Sequence, residues 1–208
     1  ILVLLSVPFI SYGQVLSVES HSLYLDKKPF DMWGVRVASA TQRNNYTNSL
    51  ISNLDDYKAA GINSISVFLQ GSSGGYIDPF ENGGLEIEKN HWKRLKKIIK
   101  ASSKLDMVVI VGIFYQRVLM NPEICNLKSE KEIRNAVRTV AEKLKPYRNL
   151  IINVANEQNS SRYKEFKAFD FNKPKNIISL CEEIKKEDPA RIVGGGGYND
   201  VWNVVIGK

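Results

Sequence analysis

Residues 150–159, L-I-I-N-V-A-N-E-Q-N, decide how the rest of the chain is read. Apolar and β-compatible residues from Leu150 to Ala155 run into an Asn-Glu-Gln-Asn cluster. That is the pattern of a buried parallel strand whose C-terminal end opens onto a polar pocket. A carboxylate at such a tip is placed for chemistry, so Glu157 is the candidate catalytic group.

On both sides of this stretch, short apolar strands alternate with amphipathic helices. Residues 107–114, M-V-V-I-V-G-I-F, read as a strand covered on both faces and ending at Tyr115, Gln116 and Arg117. The helix before it, about 89–104, carries Trp92, Leu95, Ile98 and Ile99 at helical spacing with its lysines outside, and Trp92 is assigned to the core. Earlier still, a helix over 49–60 presents Leu50, Leu54 and Tyr57 and stops at Gly61. The strand over 62–69 opens into Gln70-Gly71-Ser72-Ser73-Gly74-Gly75, read as a flexible loop, and 32–38 form the first strand. Between the central strands, Ser129 and Glu132 form a capping box for a helix to about 144 that turns Ile133, Val137, Val140, Ala141 and Leu144 inward. A last helix over 175–186 offers Ile177, Leu180, Cys181 and Ile184, and Asp188-Pro189 stops it before a fifth strand at 191–193.

Strand and helix in regular alternation predict parallel βαβ units, in an open doubly wound sheet or a barrel. A barrel of eight such units takes about 250 residues. With five strands and four helices in 208 residues, the chain is expected to stop roughly three units short. Residues 16–30 alternate around Asp26-Lys27-Lys28-Pro29 and read as a hairpin ahead of the barrel. Residues 1–10 are an apolar run too short to span a bilayer, and Ser11-Tyr12-Gly13 suit signal-peptidase cleavage before Gln14. The expected organisation is a signal-peptide remnant (1–13), an N-terminal hairpin (14–31) and a partial barrel (32–208) in a secreted or periplasmic protein.

Composition narrows the function further. The net charge is +7 and the pI about 9.3, but the lysines (Lys93, Lys96, Lys97, Lys100, Lys185, Lys186) spread over helix faces, which argues against a nucleic-acid partner. Cys125 and Cys181 read as two separate small apolar residues, Cys181 buried on its stripe. His21 and His91 read as surface residues, so neither a zinc site nor a Ser-His-Asp triad has support. Gly194 to Gly197 lack the Lys-Ser/Thr of a phosphate loop and read as a tight loop at the pocket rim.

In a barrel, the strand C-termini converge on the active site. Those ends supply Arg36, Ser39, Gln70, Tyr115, Gln116, Arg117, Asn156, Glu157, Gln158, Tyr198 and Asn199. Amides and aromatics around one carboxylate suit a sugar, whose hydroxyls take hydrogen bonds and whose faces stack on rings. Trp202 could stack on a sugar or merely pack.

The run V-A-N-E-Q at the end of a fourth strand resembles the Asn-Glu signature of the clan A glycoside hydrolases, the (β/α)8 TIM-barrel retaining enzymes that include the family 5 cellulases and mannanases. W-G-V-R (33–36), L-D-D-Y-K-A-A-G-I-N (54–63) and M-V-V-I-V-G-I-F (107–114) are similar to the first strands and first helix of the same group, so the resemblance covers about 16–200. It implies a retaining hydrolase of O-glycosyl bonds in poly- or oligosaccharides. Glu157 would be the general acid/base and Asn156 would bind the 2-hydroxyl of the sugar. Arg36, Gln70, Tyr115, Gln116, Tyr198 and Trp202 would bind substrate. The nucleophile would come from a seventh strand beyond Lys208, leaving the chain as given inactive. No cofactor, metal or membrane attachment is implied, and the full-length protein would be a monomer. The family usually has an Arg near the end of the second strand and a His after the third, where this chain has Ser66 and the Phe114-Tyr115 pair. Arg36 is read either as the missing cation or as an ion-pair partner of Glu157. The alternatives are a non-catalytic carbohydrate-binding barrel and a phosphate-binding barrel of the aldolase or isomerase type.

Overall fold

The computed structural model describes residues 13–72 and 75–197. Leu16–Glu19 (β1), Ser22–Leu25 (β2) and Lys28–Pro29 (β3) form a small antiparallel sheet. Asp26 and Lys27 both sit at positive φ (50° and 65°), the backbone of a tight two-residue turn. Leu16 and Leu25 close over Val108, with Leu23, Phe30, Ile151 and Ile192 packed around them. Since Val108 and Ile151 lie at the N-terminal ends of their strands, this sheet plugs the base of the main one.

The main sheet begins with Gly34–Arg36 (β4), followed by Asn44–Ser52 (α1), Leu54–Ala59 (α2) and Ser64–Phe68 (β5). Two short antiparallel pairs come next, Gly71–Ser72 (β6) with Gly75–Tyr76 (β7), and Phe80–Glu81 (β8) with Glu86–Ile87 (β9). Lys89–Ser103 (α3), Val108–Phe114 (β10), the short Gln116–Leu119 (α4), Glu130–Leu144 (α5), Leu150–Ala155 (β11), Pro174–Glu187 (α6) and Ile192–Gly194 (β12) complete the order. All pairings in the five-stranded sheet are parallel, and its spatial order β4-β5-β10-β11-β12 is the order along the chain. Five consecutive units of a (β/α) barrel are arranged this way.

Register separates the two faces. Ile65, Val67, Val109, Val111, Ile152 and Val193 share one face and join the helix residues Leu95, Ile98, Ile133, Val137, Ile177 and Leu180 in the large core. The opposite face carries Arg36, Ser66, Ile110, Ile151, Asn153 and Ile192, half-buried or exposed. On that face β10 has Gly112, where a Cβ would stand 2.1 Å from the Phe68 ring, so only glycine lets that ring lie across the sheet.

The elements follow the apolar periodicity where it is strong. The Ser129–Glu132 capping box is present, and Gly61, at φ 83°, follows the end of α2. The helix expected over 49–60 starts earlier and is broken. Asn53 leaves helical geometry at φ −99°, ψ 2°, and its side chain donates to the Ser49 carbonyl, dividing α1 from α2. Of the expected flexible loop 70–75, Gly71 and Ser72 are instead paired antiparallel with Gly75 and Tyr76, and Ser39 Oγ accepts from Ser72 N (3.1 Å), while 73–74 lie outside the described residues. Trp92 is half-buried at the core margin, edge-on to Tyr147. Both cysteines are free and buried.

At the base, Arg191 is 1 % exposed. It donates to Asp188 Oδ2 and to the carbonyls of Leu144, Tyr147 and Leu150, while Arg148 pairs with the same Asp188 at 2.9 Å. One buried guanidinium thus ties the end of α5, the start of β11 and the approach to β12. Burial lowers its pKa to about 10, against the opposing pull of Asp188. Among the described residues no helix is long and apolar enough to cross a membrane.

Candidate active site

The tip of β11 is fastened on both sides. Asn156 N donates to Phe114 O (3.0 Å), continuing the pairing with β10. On the other side, Gly196 N donates to Ala155 O (2.9 Å) and Gln158 N to Gly196 O (2.7 Å). A Cβ on Gly196 would meet Ala155 O at 2.9 Å and Asn153 Nδ2 at 3.0 Å, so the glycine run lies flat along the strand end. Glu157 turns out of this frame at φ 47°, a left-handed conformation uncommon for a residue with a side chain. Ser160 N donates to its carbonyl at 2.7 Å, and Tyr163 Oη to the carbonyl of Asn156 at 2.8 Å. Tyr163 is fully buried, which pushes its hydroxyl well above the usual tyrosine range and keeps it a neutral donor.

Gln116, at the start of α4, joins the two candidate residues. Its Nε2 donates to Glu157 Oε2 at 2.8 Å and its Oε1 accepts from Asn156 Nδ2 at 3.2 Å. Glu157 is half-buried, whereas Asn156 and Gln116 are buried. A single amide therefore fixes the direction of a partly exposed carboxylate.

The neighbouring wall is aromatic. Tyr115 is 5 % exposed, stacks on Tyr76 (centroids 6.1 Å apart, 25° between planes) and lies 6.4 Å from Phe68. Arg117 is exposed and donates to the Tyr76 hydroxyl at 3.0 Å. Arg36 is exposed, in register with Ser66 on the neighbouring strand, and its guanidinium stands 4.9 Å from the Phe68 centroid.

Several expectations change. Gln70 is fully buried: it accepts from Tyr115 N and donates to Asp78 Oδ1, so it supports the wall from behind. Gln116 likewise points inward, holding Glu157 and Asn156 instead of reaching outward. Arg36 makes no ion pair with Glu157 among the described residues; its partner is the Phe68 ring. His91, expected at the surface, is 1 % exposed beside Arg94, and burial lowers its pKa to about 3. Tyr198, Asn199 and Trp202 lie outside the described residues.

The residues that sequence reasoning missed act through tertiary contact. Asp78 accepts from Gln70, from Phe80 N and from Asn126 N, locking the segment after β7 to residues before α5. Burial raises its pKa above the usual carboxylate value despite those hydrogen bonds. Tyr76 and Asn172 were also missed; Asn172 Nδ2 donates to the carbonyls of Gln158 and Ser160 and holds the far side of the Glu157 turn. No local pattern marks these residues.

A groove of about 950 Å³ lies elsewhere, between β1–β2 and residues such as Ile151, Asn153 and Gly194. It is the interior of the sheet above its plug. Among the described residues no group of three or more His, Cys, Asp or Glu is placed to hold a metal.

Comparison with known proteins agrees with this architecture. Among solved structures, the chain is similar to a β-1,4-D-mannanase from Cryptopygus antarcticus, with a TM-score of 0.64 at 18% identity over 89% of this chain and 62% of that one. It is similar to the β-mannanase of the blue mussel Mytilus edulis, with 0.59 at 17% over 90% and 64%. A β-glucanase from Saccharophagus degradans gives 0.60 at 17% over 92% and 56%. At these identities the likeness speaks for the fold, and the chain spans less than two thirds of the length of each. No curated protein matches the chain in sequence. A family model, Cellulase (glycosyl hydrolase family 5), matches residues 25–199, a span that takes in the base of the sheet, all five parallel strands and the Asn156–Glu157 tip. Even with Ser66 and the Phe114-Tyr115 pair where an Arg and a His are usual, the chain belongs to glycosyl hydrolase family 5.

Proposed function

We propose that the protein hydrolyses O-glycosyl bonds in poly- or oligosaccharides by the retaining route, with Glu157 as general acid/base. The observation that carries this reading is the Gln116 bridge, which aims a half-buried carboxylate beside a fixed amide at the end of the fourth barrel strand. In the first step Glu157 donates a proton to the leaving glycosidic oxygen, and in the second it takes one from water. Asn156 binds the 2-hydroxyl, and Arg36, beside Ser66, stands in for the missing second-strand cation. Tyr115 and Tyr76 form the wall against which the sugar lies.

The retaining route needs a carboxylate nucleophile about 5–5.5 Å from the acid/base. We assign it to a part of the barrel that the longer matched structures have and the described residues do not. The protein acts as an exported monomer. In the full-length protein, wild type is expected to cleave aryl β-glycosides and soluble β-mannan or β-glucan, and Glu157→Gln to abolish cleavage. Full activity in Glu157→Gln removes Glu157 from the mechanism. Binding without cleavage by wild type makes the protein a carbohydrate-binding barrel.

A further inference from the structure

The arginines divide into two sets. Arg94, Arg134, Arg138, Arg148 and Arg191 each lie 2.7–3.9 Å from an Asp or Glu oxygen. Arg36, Arg43, Arg117 and Arg162 are not in an ion pair of that length among the described residues, although the Glu157 carboxylate acts on Arg117 from farther off, and all four are exposed. Each of the four lies at or beyond the C-terminal end of a main-sheet strand: Arg36 on β4, Arg43 just ahead of α1, Arg117 after β10 and Arg162 after β11.

Three of them are held by aromatic rings. Arg36 stands over Phe68 at 4.9 Å, Arg43 over Tyr46 at 5.9 Å, and Arg117 donates to Tyr76 Oη at 3.0 Å. The rings also meet one another, Phe68 with Tyr115 and Tyr115 with Tyr76. A fourth ring, Tyr46, lies beside the β6–β7 pair, where a Cβ on Gly75 would stand 3.8 Å from its Cε2. The result is a ridge Arg36–Phe68–Tyr115–Tyr76–Arg117, flanked by Arg43, and Arg117 directly follows the glutamine that holds Glu157.

A ring orients a guanidinium without neutralising it, so the planar forks of Arg36 and Arg43 stay free for an anion, and Arg117 keeps the N–H donors that the Tyr76 hydroxyl does not take. Carboxylates and sulfate esters match that fork with two parallel hydrogen bonds. A neutral glycan would leave these cations with nothing but water. We propose that the ridge reads anionic groups on the saccharide chain, so that the substrate is an acidic polysaccharide carrying carboxylate or sulfate ester substituents. This rests on the cleft being a glycoside-hydrolase site.

The test uses backbone-matched polymers: hydroxyethyl, carboxymethyl and sulfated cellulose, and neutral, carboxymethylated and sulfated galactomannan. Affinity electrophoresis of full-length Glu157→Gln protein measures binding without turnover. Retention at least about tenfold tighter on an anionic member than on its neutral partner is expected, weakening with salt. The carboxymethyl and sulfate arms identify which group is read. Arg43→Gln with Arg117→Gln is expected to remove most of that preference. Lys93→Gln with Lys97→Gln, the same charge change on the exposed face of α3, is expected to leave it intact. Equal retention on neutral and anionic members, no retention on any, or equal loss in the lysine and arginine pairs overturns the proposal. Glu157-dependent hydrolysis with no anionic preference overturns the ridge and leaves the hydrolase reading. Anionic preference without such hydrolysis keeps the ridge and overturns that reading.

Discussion

Gln116→Met tests the Glu157 bridge most directly. The substitution keeps the length and most of the volume of the side chain but removes the donor to Glu157 Oε2 (2.8 Å) and the acceptor for Asn156 Nδ2 (3.2 Å). A hydrogen bond to a charged group contributes about 1.5–3 kcal/mol. With about 1.4 kcal/mol per tenfold, losing it from a positioned acid/base lowers kcat/KM by about 10- to 150-fold. Asn156 is buried, and orphaning its amide donor costs about 1–3 kcal/mol of folding stability. The assay is kcat/KM on an aryl β-glycoside in the full-length protein, beside a urea denaturation curve. Gln116→Asn, one methylene shorter, cannot span both contacts and is expected to fall in the same range. A Gln116→Met enzyme within twofold of wild type, at unchanged stability, would refute the claim that this amide aims the carboxylate.

Arg191→Met leaves the Leu144, Tyr147 and Leu150 carbonyls without their donor while Asp188 keeps Arg148; at about 1–3 kcal/mol for each orphaned carbonyl it is expected to cost about 3 kcal/mol or more by urea denaturation, and a loss below about 1 kcal/mol contradicts the staple. His91 has a folded pKa of about 3 against an ordinary 6.5, so the unfolded chain binds its proton first: stability is full above pH 6.5 and falls as pH drops from 6.5 toward 3, by up to about 1.4 kcal/mol per unit. His91→Gln is expected to flatten that slope in denaturation curves at pH 4 to 7, and an unchanged slope assigns it to other groups. Gly112→Ala drives a Cβ into the Phe68 ring and is expected to lower stability by about 1–3 kcal/mol, which an unshifted melting temperature rules out.

The barrel units were legible because their signals are local. A capping box, a glycine past a helix end and an apolar run each concern a few adjacent residues, and α3, α5, α6, β10 and β11 fall close to where periodicity put them. The place of Glu157 and Asn156 at the tip of β11 was legible because strand order puts their neighbours at one end of the sheet. Gln70 and Gln116 show where that reasoning stops. A strand-end position says that a side chain is near the cleft, but its direction depends on what lies behind, here Asp78 for one and Glu157 for the other. His91 looked like a surface residue because its helix start is polar, yet Arg94, which donates to its ring, reaches the Thr41 carbonyl from another part of the chain. Arg191 looked like an ordinary strand start, and only the folded chain brings the three carbonyls of residues 144–150, more than forty positions away, onto it. The left-handed backbone of Glu157 has no sequence signal, since glutamate is not a residue that favours it.

The strand tip that bears Glu157 is latched by the chain that comes nearly forty residues later, through the paired contacts of Gly196 with Ala155 and Gln158. During synthesis, β11 leaves the ribosome before its latch exists. An emerging chain therefore has the glutamate and its Gln116 partner before the backbone on the far side of the strand tip has anything to pair with. The last two backbone bonds at the strand tip thus wait on Gly196.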